Sequence, residues 1–249
     1  MDGKMRKMFF EIHKDLPREG PGDSESTRKA FSMLTDIPVS PRILDIGCGP
    51  GMQTMDLIKL TTGTIVAVDN HQPYLDTLTE KMVEEGLSHR IQVIHSDMLA
   101  LEFQKDFFDV IWAEGSIYII GFEKGINAWK PFLKEGGYFA VTEVSWLKPN
   151  APEEVKTFWG NAYPAIQDIE GNLEMIRTAG YGIVGSFTLP ESAWWDNYYT
   201  PLEQRLKIFR EKHEGDDAAI ELYESELDEI NLYRTYSDYY GYVFYIMQV

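Results

Sequence analysis

Ile43-Leu44-Asp45-Ile46-Gly47-Cys48-Gly49-Pro50-Gly51 passes from an apolar, β-branched run into a glycine-rich turn, and a helical pattern starts near Met52. Glycines at 47, 49 and 51 allow positive φ and let backbone N–H groups come close to a ligand. Downstream, a second strand, Ile65-Val66-Ala67-Val68, ends in Asp69. A carboxylate at that tip can accept both hydroxyls of a ribose, each charge-assisted bond being worth roughly 1.5–3 kcal/mol. Loop and acid together specify a nucleoside-binding edge. The structural alternatives are a loop-bracing carboxylate at Asp45 and a helix N-cap at Asp69.

Outward from this edge, short apolar runs alternate with amphipathic stretches, as in a parallel sheet covered by helices. The strands read as Arg42–Ile46, Ile65–Asp69, Ile91–His95, Val110–Glu114 and Tyr138–Val144. Leu75, Leu78 and Met82 mark one helix, stopped by Gly86; Ile126, Trp129 and Leu133 mark another, stopped by Gly136-Gly137. Upstream, Leu16–Asp23 is too rich in Gly and Pro for a helix and precedes a helix over Ser26–Leu34, capped by Ser24 or Asp23.

Beyond Val144 the pattern changes. Trp146–Ile169 is rich in Pro and aromatics, Asn172–Ala179 is a short helix, and Ile183–Leu189 and Tyr242–Val249 are two further strands. Pro190–Gly241 is far too long for an ordinary connection between them, and it carries helical spacing at Leu202, Leu206, Phe209 and at Ile220, Tyr223, Leu227, Ile230. It reads as a helical lid inserted before the last strand, its many charges mostly on a solvated helix face.

Glycine spacing separates the nucleoside cofactors. A dinucleotide fingerprint wants a third glycine where this chain has Met52, which weakens a nicotinamide or flavin oxidoreductase, and no Gly-Lys-Ser/Thr is present for a triphosphate. Leu44-Asp45-Ile46-Gly47-Cys48-Gly49-Pro50-Gly51 resembles the first motif of the class I S-adenosylmethionine-dependent methyltransferases. Val66-Ala67-Val68-Asp69 resembles the family's second strand end, Ser96-Asp97-Met98 its adenine-contacting turn, and Phe108-Asp109-Val110-Ile111-Trp112-Ala113-Glu114-Gly115 its fourth strand. Leu133-Lys134-Glu135-Gly136-Gly137-Tyr138 resembles the approach to the fifth, so the likeness extends from about Pro41 to Val144.

The resemblance implies a Rossmann-like α/β fold: a seven-stranded, mostly parallel sheet with the last strand antiparallel, in three αβα layers. It implies one domain, with residues 1–40 as N-terminal cap, 41–145 as cofactor core, 146–189 and 242–249 completing the sheet and 190–241 as lid. It further implies that S-adenosyl-L-methionine is bound by Asp45, Gly47, Cys48, Gly49, Gly51, Asp69, Asn70, Ser96, Asp97, Met98, Glu114 and Gly115. In that scheme Gly47 and Gly49 border the methionine part, Asp69 holds the ribose, Asp97 reaches the adenine amino group and Met98 offers the ring a soft surface. Asp45 and Glu114 supply carboxylates to a cofactor that carries a positive sulfonium and a positive amino group. Asp97 could instead merely close a turn, and Cys48 reads as a small turn-filling residue rather than a nucleophile.

Methyl transfer from a sulfonium is an in-line displacement, and alignment alone can supply up to roughly 7–11 kcal/mol of the catalysis. A base is needed only where the acceptor must lose a proton. Glu114 and Tyr118 are the catalytic candidates; Arg18, Trp194 and Tyr198, with the isolated His13, are candidates on the substrate side. For Arg18 a plain linker position is the equal alternative, and for the lid aromatics it is packing onto the sheet.

The composition bounds what such a protein meets. In 249 residues, 23 basic against 40 acidic side chains give a net charge of −17, which repels phosphate backbones. The Asn/Asp-Pro-Pro-Tyr motif of base-modifying amino methyltransferases is also missing after the fourth strand, where Glu114-Gly115-Ser116-Ile117-Tyr118 stands instead. A small-molecule acceptor is expected, not nucleic acid. The single Cys48 and five scattered histidines leave no disulfide and no zinc cage, so no metal is expected. Met1-Asp2-Gly3-Lys4 leads into a charged segment rather than a leader, and no apolar run approaches a membrane span, so a cytoplasmic location is expected. An exposed aromatic face on the lid would suit a homodimer.

Overall fold

The computed structural model describes residues 3–249. Met1 and Asp2, where the chain was read as lacking a leader, lie outside the described residues. Five strands, β1 (Arg42–Ile46), β2 (Thr64–Asp69), β3 (Ile91–His95), β4 (Phe108–Ala113) and β5 (Leu133–Trp146), pair in parallel. The two-residue β6 (Gln167–Asp168) adds to the end of β5. The last strand, β8 (Tyr240–Gln248), runs antiparallel between β5 and β7 (Gly182–Thr188). The order β3-β2-β1-β4-β5-β8-β7 is the expected mostly parallel sheet with an antiparallel final strand; β6 is the one addition.

Strand side chains alternate between two cores, as a pleat of period two requires. Ile43, Val110 and Trp112 face one layer, while Leu44, Ile46, Ile111 and Ala113 face the other. The first layer is covered by α1 (Gly3–Ile12), α2 (Ser24–Ser32), α3 (Met52–Leu60), α4 (Gln72–Glu84) and, through Val155, α6 (Glu153–Ala162); the second is covered by α5 (Phe122–Trp129) and, through Ile176, α7 (Ile169–Thr178). Between β7 and β8 lie α8 (Ser192–Trp194), a π-helical turn over Trp195–Tyr199, α9 (Thr200–Lys212) and α10 (Asp217–Tyr236).

Four local expectations change. Helix α1 was not foreseen; it is held to the insertion by Lys4–Asp216 and Lys212–Glu11 ion pairs and by Arg205, which donates to the carbonyls of Glu11 and Ile12. Helix α6 occupies the stretch read only as Pro- and aromatic-rich. Leu133 leaves its helix and opens β5, because Pro131 tightens the preceding turn into a 3-10 form. In α10 the buried stripe is Leu222, Ile230 and Tyr233, and Ile220 is exposed. Among the described residues no helix is long and apolar enough to cross a membrane, and no cluster of His, Cys, Asp or Glu is placed to hold a metal ion.

Candidate functional site

From β1 the chain goes on to β2 and β3 on one side and then crosses to β4 on the other, and a crevice opens at the carboxyl ends of these strands, where such sheets bind ligands. Gly47 and Cys48 donate backbone N–H groups to the Val68 carbonyl at 2.8 and 3.0 Å, tying the glycine loop to the tip of β2. Gly47 sits at φ 75°, and a Cβ there would run into Ser116, whose hydroxyl donates to the Ile46 carbonyl at 2.7 Å. The loop is thus closed on one side by the residues that follow β4. It leaves an open cleft beside it, lined by the glycine loop, the β2 and β3 tips and the N-terminal segment.

Asp69 accepts from the Gly49 N–H at one oxygen and the His71 N–H at the other, both at 2.9 Å. Each oxygen keeps a lone-pair direction for a further donor. Asn70, Ser96 and Met98 continue the same wall, and the Met98 carbonyl is fixed by Trp129 Nε1 at 3.1 Å. Asp97 stands exposed beside them, one oxygen taking the Leu99 N–H at 2.8 Å: the turn-closing bond.

Gly47, Cys48, Gly49, Asp69, Asn70, Ser96, Met98, Glu114, Gly115, Tyr118 and Arg18 therefore meet at one cleft. Three others do not reach its wall. Asp45 lies fully buried beneath the loop, accepting from the Thr54 hydroxyl at 2.6 Å; burial pushes its carboxyl up to about 7. Gly51 packs on Leu78 at the start of α3, and Asp97 stands outside. Burial, with the Asp45 and Asp69 carboxylates nearby, pushes the Cys48 thiol up, so it stays protonated and unreactive.

Glu114 is at the cleft but is not a free carboxylate. Its Oε1 accepts from Trp112 Nε1 and the Thr27 hydroxyl at 2.7 and 2.8 Å, and its Oε2 holds Arg18 Nη2 at 2.7 Å. Arg18, 4% exposed, keeps Nη1 buried without a partner on the cleft wall. Asp23 caps α2 through the Ser26 N–H, and the Gly22 N–H donates to the Ala193 carbonyl, which fixes the loop carrying Arg18. Ser116 and Glu19 are among the wall residues that escaped the sequence reading. Ser116 could have been found from its place two residues after Glu114; Glu19 has only its adjacency to Arg18 as a signal.

Trp194 and Tyr198 lie elsewhere, in a second chamber that meets the first at Phe9, Glu19, Gly20 and Tyr118. His13 is there too, its Nδ1 3.0 Å from Glu19; despite burial, Glu19 and Glu226 raise its pKa to about 9. Tyr118 is 44% exposed but faces both cavities, and desolvation with the carboxylates of Glu229, Glu226 and Glu143 pushes its phenol up to about 12.

Residues 43–137 match the family model of a methyltransferase domain. The sterol 24-C-methyltransferase erg6 of Aspergillus fumigatus is 30% identical over 176 residues, 67% of this chain and 46% of its own length. Methyltransferase GfsG of Streptomyces halstedii is 26% identical over 119 residues, covering 47% of this chain and 42% of itself. The chain thus spans about half the length of the curated relatives it matches. A SAM-dependent methyltransferase of Geobacter sulfurreducens, solved with S-adenosyl-L-homocysteine, superposes with a TM-score of 0.82 at 20% identity, over 97% of both chains. YjhP of E. coli gives 0.83 at 22% identity, over 97% of this chain and 98% of that one.

Proposed function

We propose that this chain, which belongs to the class I S-adenosylmethionine-dependent methyltransferases by the domain at residues 43–137 and by its fold, transfers a methyl group to a small-molecule acceptor. The cofactor is S-adenosyl-L-methionine, which supplies a methyl group already activated on a sulfonium. The observation that carries this reading is the buried, unpartnered Arg18 Nη1 on the wall of a cleft that the Asp69 carboxylate also lines. Their chemistry fits the two ends of one ligand: a carboxylate for the guanidinium and ribose hydroxyls for the acid.

In this scheme Asp69 accepts the ribose hydroxyls with the lone pairs left by Gly49 and His71. Gly47 and Gly49 give the backbone room beside the amino-acid end, and Ser96 and Met98 line the adenine end with Asp97 at its edge. Glu114 acts through Arg18, neutralising and aiming the guanidinium, and is a positioning residue rather than a base. Tyr118, a neutral phenol where cleft and chamber join, orients the acceptor. The residues 190–241 serve as a lid over the second chamber, within a single domain of cap, core and insertion. With a net charge of −17, the partner is a small molecule and not nucleic acid. One buried thiol suits a reducing cytoplasmic location.

Titration calorimetry with S-adenosylhomocysteine tests the reading. Saturable binding that Asp69→Ala weakens at least about tenfold is expected, since two charge-assisted bonds are lost. No saturable binding by the wild type, or equal binding of a reduced nicotinamide dinucleotide, would overturn it.

A further inference from the structure

The second chamber has an unusual lining. Eight phenylalanine, tyrosine and tryptophan residues line it, Tyr118, Trp159, Tyr163, Trp194, Tyr198 and Tyr242 among them. Several are locked in place by other rings. Trp194 stacks on Tyr233 at 4.1 Å and meets Tyr242 edge-on at 5.1 Å, and Tyr198 stacks on Tyr199 at 5.1 Å. Between them stand the carboxylates of Glu19, Glu226 and Glu229; the buried Glu143, close enough to Tyr163 to raise its phenol, lies outside these walls. His13 is the one basic side chain on these walls; no lysine or arginine among the described residues lines them.

Polar atoms there await a partner. His13, 2% exposed, has no hydrogen bond at Nε2, where Glu226 stands 3.7 Å away, and Trp194, also 2% exposed, has none at its indole N–H. Glu19 Oε1 is likewise buried without one. His13 answers Glu19 and Glu226 at 3.0 and 3.7 Å, but Glu229 has only the Tyr199 hydroxyl at 3.0 Å, and a carboxylate taken out of water among aromatic rings is costly unless something compensates it. A wholly apolar guest would leave that cost standing, and an anionic guest would add to it. An organic cation meets attraction from both kinds of wall, the carboxylates by charge and the rings by their negative faces.

We infer that this chamber is the acceptor site and that it takes a neutral amine and converts it to an ammonium ion held between the aromatic rings and the carboxylates of Glu226 and Glu229. This rests on the methyl-transfer reading above, because the chamber joins the cofactor cleft at Glu19 and Tyr118. The chemistry balances with no further reagent. An amine that arrives protonated first gives that proton to solvent; its lone pair then forms the N–C bond, the C–S bond breaks with its electron pair returning to sulfur, and the positive charge ends on nitrogen. A chamber that favours a cation therefore favours the charge where it arrives in the transition state. The unpartnered indole and imidazole groups remain for a polar atom elsewhere on the acceptor.

The test uses choline and 3,3-dimethylbutan-1-ol, which share shape and hydroxyl and differ in charge. S-adenosylhomocysteine is titrated first; each probe is then titrated into cofactor-free and cofactor-saturated protein, followed by tryptophan fluorescence and calorimetry. Choline is expected to bind at least about tenfold tighter than the neutral alcohol. The double variant Glu226→Gln, Glu229→Gln should lose that preference while binding S-adenosylhomocysteine as the wild type does. Equal affinity for the two probes, no saturable choline binding, or an undiminished preference in the double variant overturns the inference. Absent S-adenosylhomocysteine binding would instead sink the cofactor reading, and choline binding to the cofactor-free protein would still decide the chemistry of the chamber.

Discussion

Arg18 crosses from the N-terminal loop to the tip of β4 and meets Glu114 at 2.7 Å, the two side chains 4% and 0% exposed. Removing one partner of a buried pair strands the other charge, which typically costs about 3–5 kcal/mol. Arg18→Met should therefore destabilise the protein by that order in urea denaturation, and the double variant Arg18→Met, Glu114→Gln should recover most of the loss. Affinity for S-adenosylhomocysteine should stay low in both, because the free Nη1 is gone in both. Full recovery of affinity in the double variant would show that Arg18 only braces the loop.

Gly47 is the tightest point of the glycine turn. Gly47→Ala combines a left-handed backbone with a Cβ driven into Ser116, and backbone strain of this kind costs about 1–3 kcal/mol. The expected outcome is a lowered Tm and weakened S-adenosylhomocysteine binding. Adding Ser116→Gly should return only part of the stability, because the contact is relieved and φ is not. A complete return would place the whole cost in the clash.

Much of this cleft was legible in the sequence because its determinants are local. A glycine turn must follow its strand directly, and the acid at the end of β2 is set by that strand's own length. The strands read from periodicity recur within a few residues of their observed ends; β5 is the largest exception, extended at both ends by pairing with β4 and β8. The chamber was not legible. Glu226 and Glu229 belong to a helix whose charges were read as solvated, since Ile220, Tyr223, Leu227 and Ile230 offered an apolar stripe that explained its burial. In the folded chain the buried line is Leu222, Ile230 and Tyr233, which turns the two glutamates inward. Only the docking of α10 on α1 and on the insertion selects between such stripes, and no periodicity encodes it.

Tyr118 supplies a sharper test of chemistry. With its phenol pushed up to about 12, it is uncharged through the working range and cannot serve as a general base. Tyr118→Phe should raise KM for the acceptor and leave the shape of the kcat profile between about pH 6 and 10 unchanged. Loss of a titrating limb in the variant would restore the tyrosine to the catalytic step.

Stability should fall as the solution becomes alkaline. Burial raises Asp45 from 3.8 to about 7, Glu143 from 4.5 to about 8 and Glu229 from 4.5 to about 7, while carboxylate partners raise His13 from 6.5 to about 9. In each case the native state holds a proton that the unfolded chain has released, so unfolding gives up protons and is favoured by high pH. The carboxyl contributions are complete below their unfolded values and disappear as pH rises through 7 to 8; that of His13 is complete below 6.5 and disappears through 9. Thermal melts should show Tm decreasing from about pH 5 to 9, and Glu143→Gln should flatten the decline near pH 8. A Tm that rises over this interval would contradict the burial of these groups.

The same protons should compete with a cation in the chamber. Glu143 and Glu229, raised to about 8 and 7, are partly protonated at neutral pH, and the Glu19 and Glu226 carboxylates face His13, which is a cation below about 9. Tyr118, Tyr163, Tyr198 and Tyr242 remain neutral, since burial pushes every one of these phenols upward. Raising the pH from about 6 to 9 therefore adds negative charge at two acids and removes the positive charge at His13, so choline should bind progressively tighter. Because binding of a cation expels protons, calorimetry at pH 7 in buffers of different ionisation enthalpy should show release of a fraction of a proton per choline. Glu143→Gln should remove the part of this dependence centred near pH 8 and leave the part near pH 7 to Glu229. Choline affinity that is flat across the interval, with no proton released, would mean that the charge of these acids does not reach the guest.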